Sequence, residues 1–205
     1  MHTYRVNSIF RSFQGEGLYT GCRTVFVRFS GCNLQCPFCD TAYDTYTEMT
    51  SQEIFLEIMH VSNYNPPPQF VVLTGGEPSL QVDMELMEKL RTYYQVHMET
   101  NGEIEIDQRI VDMIECLTVS PKTYTFKQRE GTVLKLLWHG ETYQEIQSYL
   151  ANTCFSEFFI QPDSTYVHIP VNNQIDLHKL ENYLYVANML DLRLSLQIHK
   201  ILGIS

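Results

Sequence analysis

Cys32-Asn33-Leu34-Gln35-Cys36-Pro37-Phe38-Cys39 places three cysteines within eight residues at the spacing C-x3-C-x2-C, with an aromatic directly before the third. Three thiolates this close can hold three corners of one cubic iron–sulfur cluster, leaving the fourth iron open to a small molecule. Zinc competes for the same residues. Cys36 and Cys39 form one knuckle, Cys32 adds a third thiolate, and a distant histidine such as His60 or His97 would have to complete the set. Chance core cysteines are a third reading, although three in eight residues around Pro37 do not follow helix or strand packing. Exposed thiolates of this kind need a reducing compartment.

Outward from this run, short apolar segments alternate with helical patterns. Residues 24–29, 70–75, 95–100, 116–120, 132–138 and 156–162 are rich in Val, Phe, Ile and Thr and read as strands. Helical spacing is expected over residues 51–62, 84–94, 105–114, 141–150 and 176–189. Thr50 and Glu53 make a capping box for the first, Asp83 is a cap for the second, and Ile106, Ile110 and Ile114 line one face of the third. Such alternation gives parallel βα units with right-handed crossovers, whose ligand-binding loops leave the C-terminal ends of the strands. Six strands do not close an eight-stranded barrel, so the expected α/β fold is an open, partial barrel. Asn65-Pro66-Pro67-Pro68 reads as a stiff connector and not as a domain boundary.

With 205 residues, 44% hydrophobic and 19% charged, the chain is expected to form one domain, 1–205. It carries no apolar run of membrane-spanning length and no basic-then-apolar leader, so a cytoplasmic location without membrane attachment is the expectation. A formal net charge of −10 argues against a general nucleic-acid binder. Cys116 and Cys154 stand among apolar neighbours and read as buried free thiols, and Cys22 as core or loop filler.

The run Cys32-x3-Cys36-x-Phe38-Cys39 resembles the signature of the radical S-adenosylmethionine (SAM) enzymes. The resemblance sharpens outside it. Gln14-Gly15-Glu16-Gly17, Arg28, Gly31-Cys32 through Asp40-Thr41, Thr74-Gly75-Gly76-Glu77-Pro78, Glu99-Thr100-Asn101-Gly102, Ser120-Pro121-Lys122 and the ending Gln197-Ile198-His199-Lys200 are together similar to the 7-carboxy-7-deazaguanine synthases. These blocks run over essentially the whole chain. The resemblance implies a shortened or modified, open (β/α)6-type radical-SAM barrel. It also implies ring contraction of 6-carboxy-5,6,7,8-tetrahydropterin to 7-carboxy-7-deazaguanine with loss of ammonia, driven by a 5′-deoxyadenosyl radical. A 4Fe-4S cluster, S-adenosylmethionine and Mg2+, a homodimer, and an external one-electron donor such as flavodoxin or ferredoxin are implied too. A glycyl-radical activase, which acts on a partner protein, is the rival within the superfamily, and a zinc-stapled interaction module is the rival outside it.

Carried over residue by residue, the resemblance gives Cys32, Cys36 and Cys39 to the cluster and Thr41 to magnesium, a hard cation suited to a hydroxyl oxygen. Without the likeness, Thr41 would be a turn residue. Phe38, Cys39, Asp40, Gly76, Glu99, Ser120, Pro121, Lys122, Gln161, Pro162, Asp163 and Ser164 would meet the SAM cofactor. Phe13, Gln14, Gly15, Glu16, Arg28, Thr74, His199 and the terminal carboxylate of Ser205 would meet the substrate. Arg28 suits a substrate carboxylate, and Gln14 can pair donor and acceptor with a pterin edge. Glu77, before Pro78, reads either as part of this site or as a simple helix cap.

Overall fold

Val25, Val27 and Phe29 are fully buried on one face of their strand, while Phe26 and Arg28 line a cavity on the other. This two-residue period organises the molecule. The computed structural model describes residues 2–39, 41–42, 44–62, 67–163 and 177–204, with 177–180 as backbone alone. Asp40, Ser164 and Ser205 lie outside the described residues, as do Asn65 and Pro66 of the connector and Asp176.

The strands are β1 (Tyr4–Phe13), β2 (Arg23–Phe29), β3 (Thr47–Met49), β4 (Phe70–Gly75), β5 (Val96–Thr100), β6 (Cys116–Val119), β7 (Glu130–Trp138), β8 (Cys154–Pro162) and β9 (Arg193–Leu194). Among the described residues they form one nine-stranded sheet in the order β3-β1-β2-β4-β5-β6-β7-β8-β9. From β2 to β9 every neighbouring pair is parallel, and β1 joins β2 and β3 antiparallel at one edge. The sheet is open, as expected, and the six expected strands are all present. The additions are β1, β3 and β9. Ten-residue β1 escaped the sequence reading because its middle residues, Asn7 to Arg11, carry polar and half-exposed positions where a core strand would be apolar.

Helices α1 (Ser51–Val61), α2 (Met84–Arg91), α3 (Gln108–Val111), α4 (Tyr143–Leu150), α5 (Leu177–Met189) and α6 (Ile198–Leu202) complete the chain. The Thr50–Glu53 capping box is present in both directions: Thr50 Oγ1 accepts from Glu53 N at 3.2 Å, and Thr50 N donates to Glu53 Oε2 at 2.7 Å. Thr50→Ala is therefore expected to lower stability by about 1 kcal/mol in urea unfolding. A second such box, Thr142 with Glu145, starts α4. Asp83 caps α2 through Leu86 N at 3.0 Å. The third helix is shorter than its apolar spacing suggests. Buried Gln128 takes Ile106 N at 2.9 Å before the helix starts, and Asp107 caps Arg109 N at 2.9 Å.

The helix-facing side of the sheet carries the main core, in which Val71, Leu73, Met98, Val119, Leu134 and Leu136 meet Ile54, Ile58, Leu86 and Leu90. Full burial of a side chain such as Leu86 contributes roughly 2–3 kcal/mol relative to exposure. The other face is concave. Its floor is apolar: Cys116, Val133 and Phe159 pack with Leu18 and Tyr19 from the turn after β1. His97 joins this floor, stacked on Phe70 at 3.8 Å, and burial pushes its pKa down to about 4. Cys116 is buried as expected, whereas Cys154, at the exposed start of β8, is not. None of the described helices is long and apolar enough to cross a membrane.

Candidate active site

Above the floor, the concave face opens into a cavity of about 660 Å³ at the C-terminal ends of the parallel strands. Side chains that follow the inward parity form its walls: Arg28 from β2, Thr74 from β4, Glu99 from β5, Lys135 and Leu137 from β7, and Gln161 from β8.

The cysteine loop leaves β2 and is fixed at its root. Ser30 O accepts from Gln81 Nε2 at 2.8 Å, and Gly31 O accepts from Glu77 N at 2.8 Å. Cys32, Cys36 and Cys39 all line the cavity, together with Phe38 and Thr41. Cys32 Sγ accepts from Leu34 N at 3.4 Å and from Asn101 Nδ2 at 3.9 Å. Burial raises the pKa of the Cys32 thiol, and the Leu34 N–H works against it by favouring the thiolate, the form that ligates iron. No set of three His, Cys, Asp or Glu side chains among the described residues is arranged to hold a single metal ion. Neither histidine considered for zinc stands with the cysteines. His97 lies in the aromatic floor near the start of β5, and His60 lies in the last turn of α1, on the helix side of the sheet. Three thiols on one wall, each able to take one iron, fit the cubic cluster instead.

Gly75 and Gly76 press against this loop. Gly75 has φ +128°, and a Cβ there would strike the backbone of Phe29. A Cβ on Gly76 would strike the Gly31 carbonyl and stand 3.2 Å from Cys32 N. Glu77 does more than cap the following turn. It is fully buried, accepting from Ser79 N at 3.0 Å, from Thr100 Oγ1 at 2.6 Å and from Asn101 N at 2.7 Å. One carboxylate thus ties the glycine loop to the end of β5. Asn101 then reaches Asn33 Oδ1 at 2.8 Å.

The two ends of the chain meet over the opposite wall. Ile198 N donates to Gly15 O at 3.0 Å, and the missing side chain of Gly15 lets the His199 ring pack against its Cα. Gly17 N donates to Ser195 Oγ at 3.0 Å, and Ser195 Oγ donates to Gln161 Oε1 at 2.8 Å. Gln14 Nε2 donates to Glu99 Oε1 at 2.8 Å. Glu16 pairs with Lys135 and also accepts from Gln197 Nε2 at 2.8 Å. Burial opposes ionisation of Glu16, but the charge and hydrogen bond of Lys135, with Gln197 and His199, together hold the carboxyl below its ordinary range. Lys122 Nζ sits 2.9 Å from both Ser120 O and Ser120 Oγ, and burial, aided by the Lys135 charge, pushes its pKa down to about 8. Arg28 lies over the Phe10 ring at 5.2 Å, and its buried Nε has no hydrogen-bond partner among the described residues. Phe38 rests on His139 at 4.6 Å, and His139 Nδ1 lies 3.6 Å from the buried Asp163 carboxylate.

Of the residues expected from the sequence, Phe13, Gln14, Gly15, Glu16, Arg28, Thr74, Gly76, Glu99, Ser120, Lys122, Gln161, Asp163 and His199 line the same cavity as the cysteine loop. Pro121 and Pro162 do not form its walls; they flank lining residues and shape the loops. Asn101, Lys135, Gln197 and Lys200 also line it and were not anticipated. Lys135 had a sequence signal: it is the single charge inside the apolar run Thr132-Val133-Leu134-Lys135-Leu136-Leu137-Trp138.

The family model of the Radical SAM superfamily matches residues 26–148, more than half of the chain. A 7-carboxy-7-deazaguanine synthase of Bacteroides thetaiotaomicron is 47% identical over 119 residues, a match spanning 58% of this chain and 60% of that relative's length. The synthase of the same name from Rickettsia prowazekii is 32% identical over 214 residues, covering 97% of this chain and 88% of the relative. Among solved structures, the crystal structure of QueE from Escherichia coli matches with a TM-score of 0.69 at 22% identity, over 95% of this chain and 93% of that one, a likeness of fold.

Proposed function

The chain belongs to the radical SAM superfamily and, within it, to the 7-carboxy-7-deazaguanine synthases, and on that premise we propose that it converts 6-carboxy-5,6,7,8-tetrahydropterin to 7-carboxy-7-deazaguanine and ammonia. Membership of the superfamily implies a 4Fe-4S cluster and S-adenosylmethionine. The observation that carries the reading is a single cavity. It has three thiols on one wall, and on the others Arg28 with a partnerless buried nitrogen, Gln14, Glu16 and His199.

Cys32, Cys36 and Cys39 would hold the cluster, which with its bound cofactor supplies one-electron chemistry and hydrogen abstraction. This chain's residues do the rest by position. Gly76 lets the cofactor's methionine end approach the backbone beside the cluster loop. Phe38, Glu99, Ser120, Lys122, Gln161 and Asp163 form its remaining bed. Arg28 takes the substrate carboxylate in a two-pronged contact. Gln14, Glu16, Thr74 and His199 meet the ring, with the backbone of Phe13 and Gly15 beside it. The apolar floor of Phe159, Val133 and Tyr19 closes the cavity from below and keeps water from a reactive intermediate. Thr41 offers a hard oxygen at the same wall and would hold Mg2+, which would supply electrostatic stabilisation to the reacting substrate. The reading makes the enzyme a carbon–nitrogen lyase. We place it in the cytoplasm as a single-domain homodimer served by flavodoxin or ferredoxin.

Anaerobic reconstitution tests the proposal. Given the carboxytetrahydropterin, a reductant and S-adenosylmethionine, the protein is expected to release the deazaguanine without net consumption of the cofactor. Omitting Mg2+ should slow turnover, and Thr41→Ala should raise the Mg2+ concentration needed by about tenfold. Stoichiometric methionine release with no deazaguanine would sink the assignment.

A further inference from the structure

Lys135 stands on β7 halfway up the cavity, between Val133 in the floor and Leu137 at the mouth. It is 6% exposed, and its ammonium meets Glu16, which is 119 residues away in sequence. Both side chains line the cavity. A buried cation at this position costs desolvation that only good pairing offsets.

We infer that Lys135 is a positioning residue for substrate recognition: with Gln197 it fixes the Glu16 carboxylate, ionised and rigid, as the acceptor for ring N–H donors of the bound pterin. The inference rests on the proposed reaction. The geometry behind it is specific. Lys135 and Gln197 approach different oxygens of Glu16, Oε2 and Oε1. Each oxygen keeps a further lone pair for a substrate donor. The Glu16 backbone is held as well, its N–H on Gln14 Oε1 at 3.2 Å, and Gln197 is itself braced by Lys200 at 2.9 Å. Three other charged or titratable groups act near this carboxylate: His199 from α6, Lys122 from the loop after β6, and Glu99 through Gln14.

Without Lys135, burial is opposed only by the Gln197 hydrogen bond and the His199 charge, and the balance moves toward the neutral acid of Glu16. A protonated Glu16 would offer a donor where an acceptor is needed. The sign follows directly. In the wild type Glu16 stays charged through the ordinary carboxylate range. In Lys135→Met its pKa rises, and binding is lost as pH falls through the raised value.

The test compares the wild type with Lys135→Met, Lys135→Arg and Glu16→Gln, each reconstituted anaerobically and matched for iron content. Equilibrium binding of the carboxytetrahydropterin and steady-state kinetics are measured from about pH 8 to about pH 5.5. Lys135→Met should weaken binding and raise KM by about tenfold or more while kcat changes less than about threefold, and the defect should grow toward acid pH. Lys135→Arg should restore most of the affinity. Glu16→Gln should bind weakly with no acid-side trend. Binding in Lys135→Met equal to wild type at every pH, or a defect with the same size at both ends of the range, overturns the inference and leaves the reaction standing. A wild type that neither binds nor converts the pterin overturns the reaction and this inference together.

Discussion

Replacing Cys36 by alanine is expected to abolish deazaguanine formation, lowering kcat/KM by about a thousandfold or more while leaving the fold intact. The two halves of that result have separate causes. Each cluster iron on the protein side takes one thiolate, and a loop missing one of three has no substitute among its neighbours Asn33, Gln35 and Pro37. Stability should barely change, because Cys32 and Cys36 are only partly buried, Cys39 is exposed, and none belongs to the apolar clusters. Iron analysis after anaerobic purification separates these effects: about four irons per chain in the wild type, well under one in the variant. The same outcome is expected for Cys32 and Cys39. A variant that kept four irons and its activity would remove the cluster from this loop.

Gly76→Ala is expected to be strongly damaging to both stability and the site. The added methyl would meet backbone on the neighbouring loop, at Gly31 and Cys32, and no rotamer change can relieve a clash with backbone. The Gly76 N–H to Phe29 O and Glu77 N–H to Gly31 O bonds, 2.9 and 2.8 Å, hold the two loops together and would have to lengthen. A loss of about 3 kcal/mol follows, roughly 6–12 °C in Tm for a chain of this size. Affinity for S-adenosylmethionine should fall too, because the glycine loop would move off the cysteine loop. A thermal shift under about 2 °C with normal cofactor binding would mean that the loops are free to separate.

Much of the frame was legible in sequence because it rests on local chemistry. The six central strands are short segments rich in Val, Phe, Ile and Thr, and Thr50 with Glu53 needs only its own turn to form a capping box. The edge strands were not legible. β1 faces a polar cavity, and β3 and β9 are three and two residues long, too short to carry a pattern. The third helix misled because Ile106, Ile110 and Ile114 do face the core, but Gln128, from another segment, takes the Ile106 amide that would have opened the helix. Cys154 misled in the same way, since its apolar neighbours lie at a strand start that the sheet leaves exposed.

At the site, the cysteine spacing, the paired glycines and the matching termini blocks were visible as a string, and they meet around one cavity. What the string does not contain is who faces whom. Glu77 reads as a helix cap until the end of β5 arrives beside it with Thr100 and Asn101. Lys135 reads as one charge in a buried strand until the loop after β1 brings Glu16 to it. Ser195 meets Gly17, and Gln197 meets Glu16, only when the last residues fold back over the first.

The amino-acid sequence alone determined the cysteine loop, the alternating α/β order and the inward face of the third helix, because these depend on residues a few positions apart. Tertiary structure decided which buried charges are satisfied and which remain turned toward a ligand. That choice depends on pairing across more than a hundred residues, where desolvation makes an unpaired charge costly and burial gives a paired one its fixed direction.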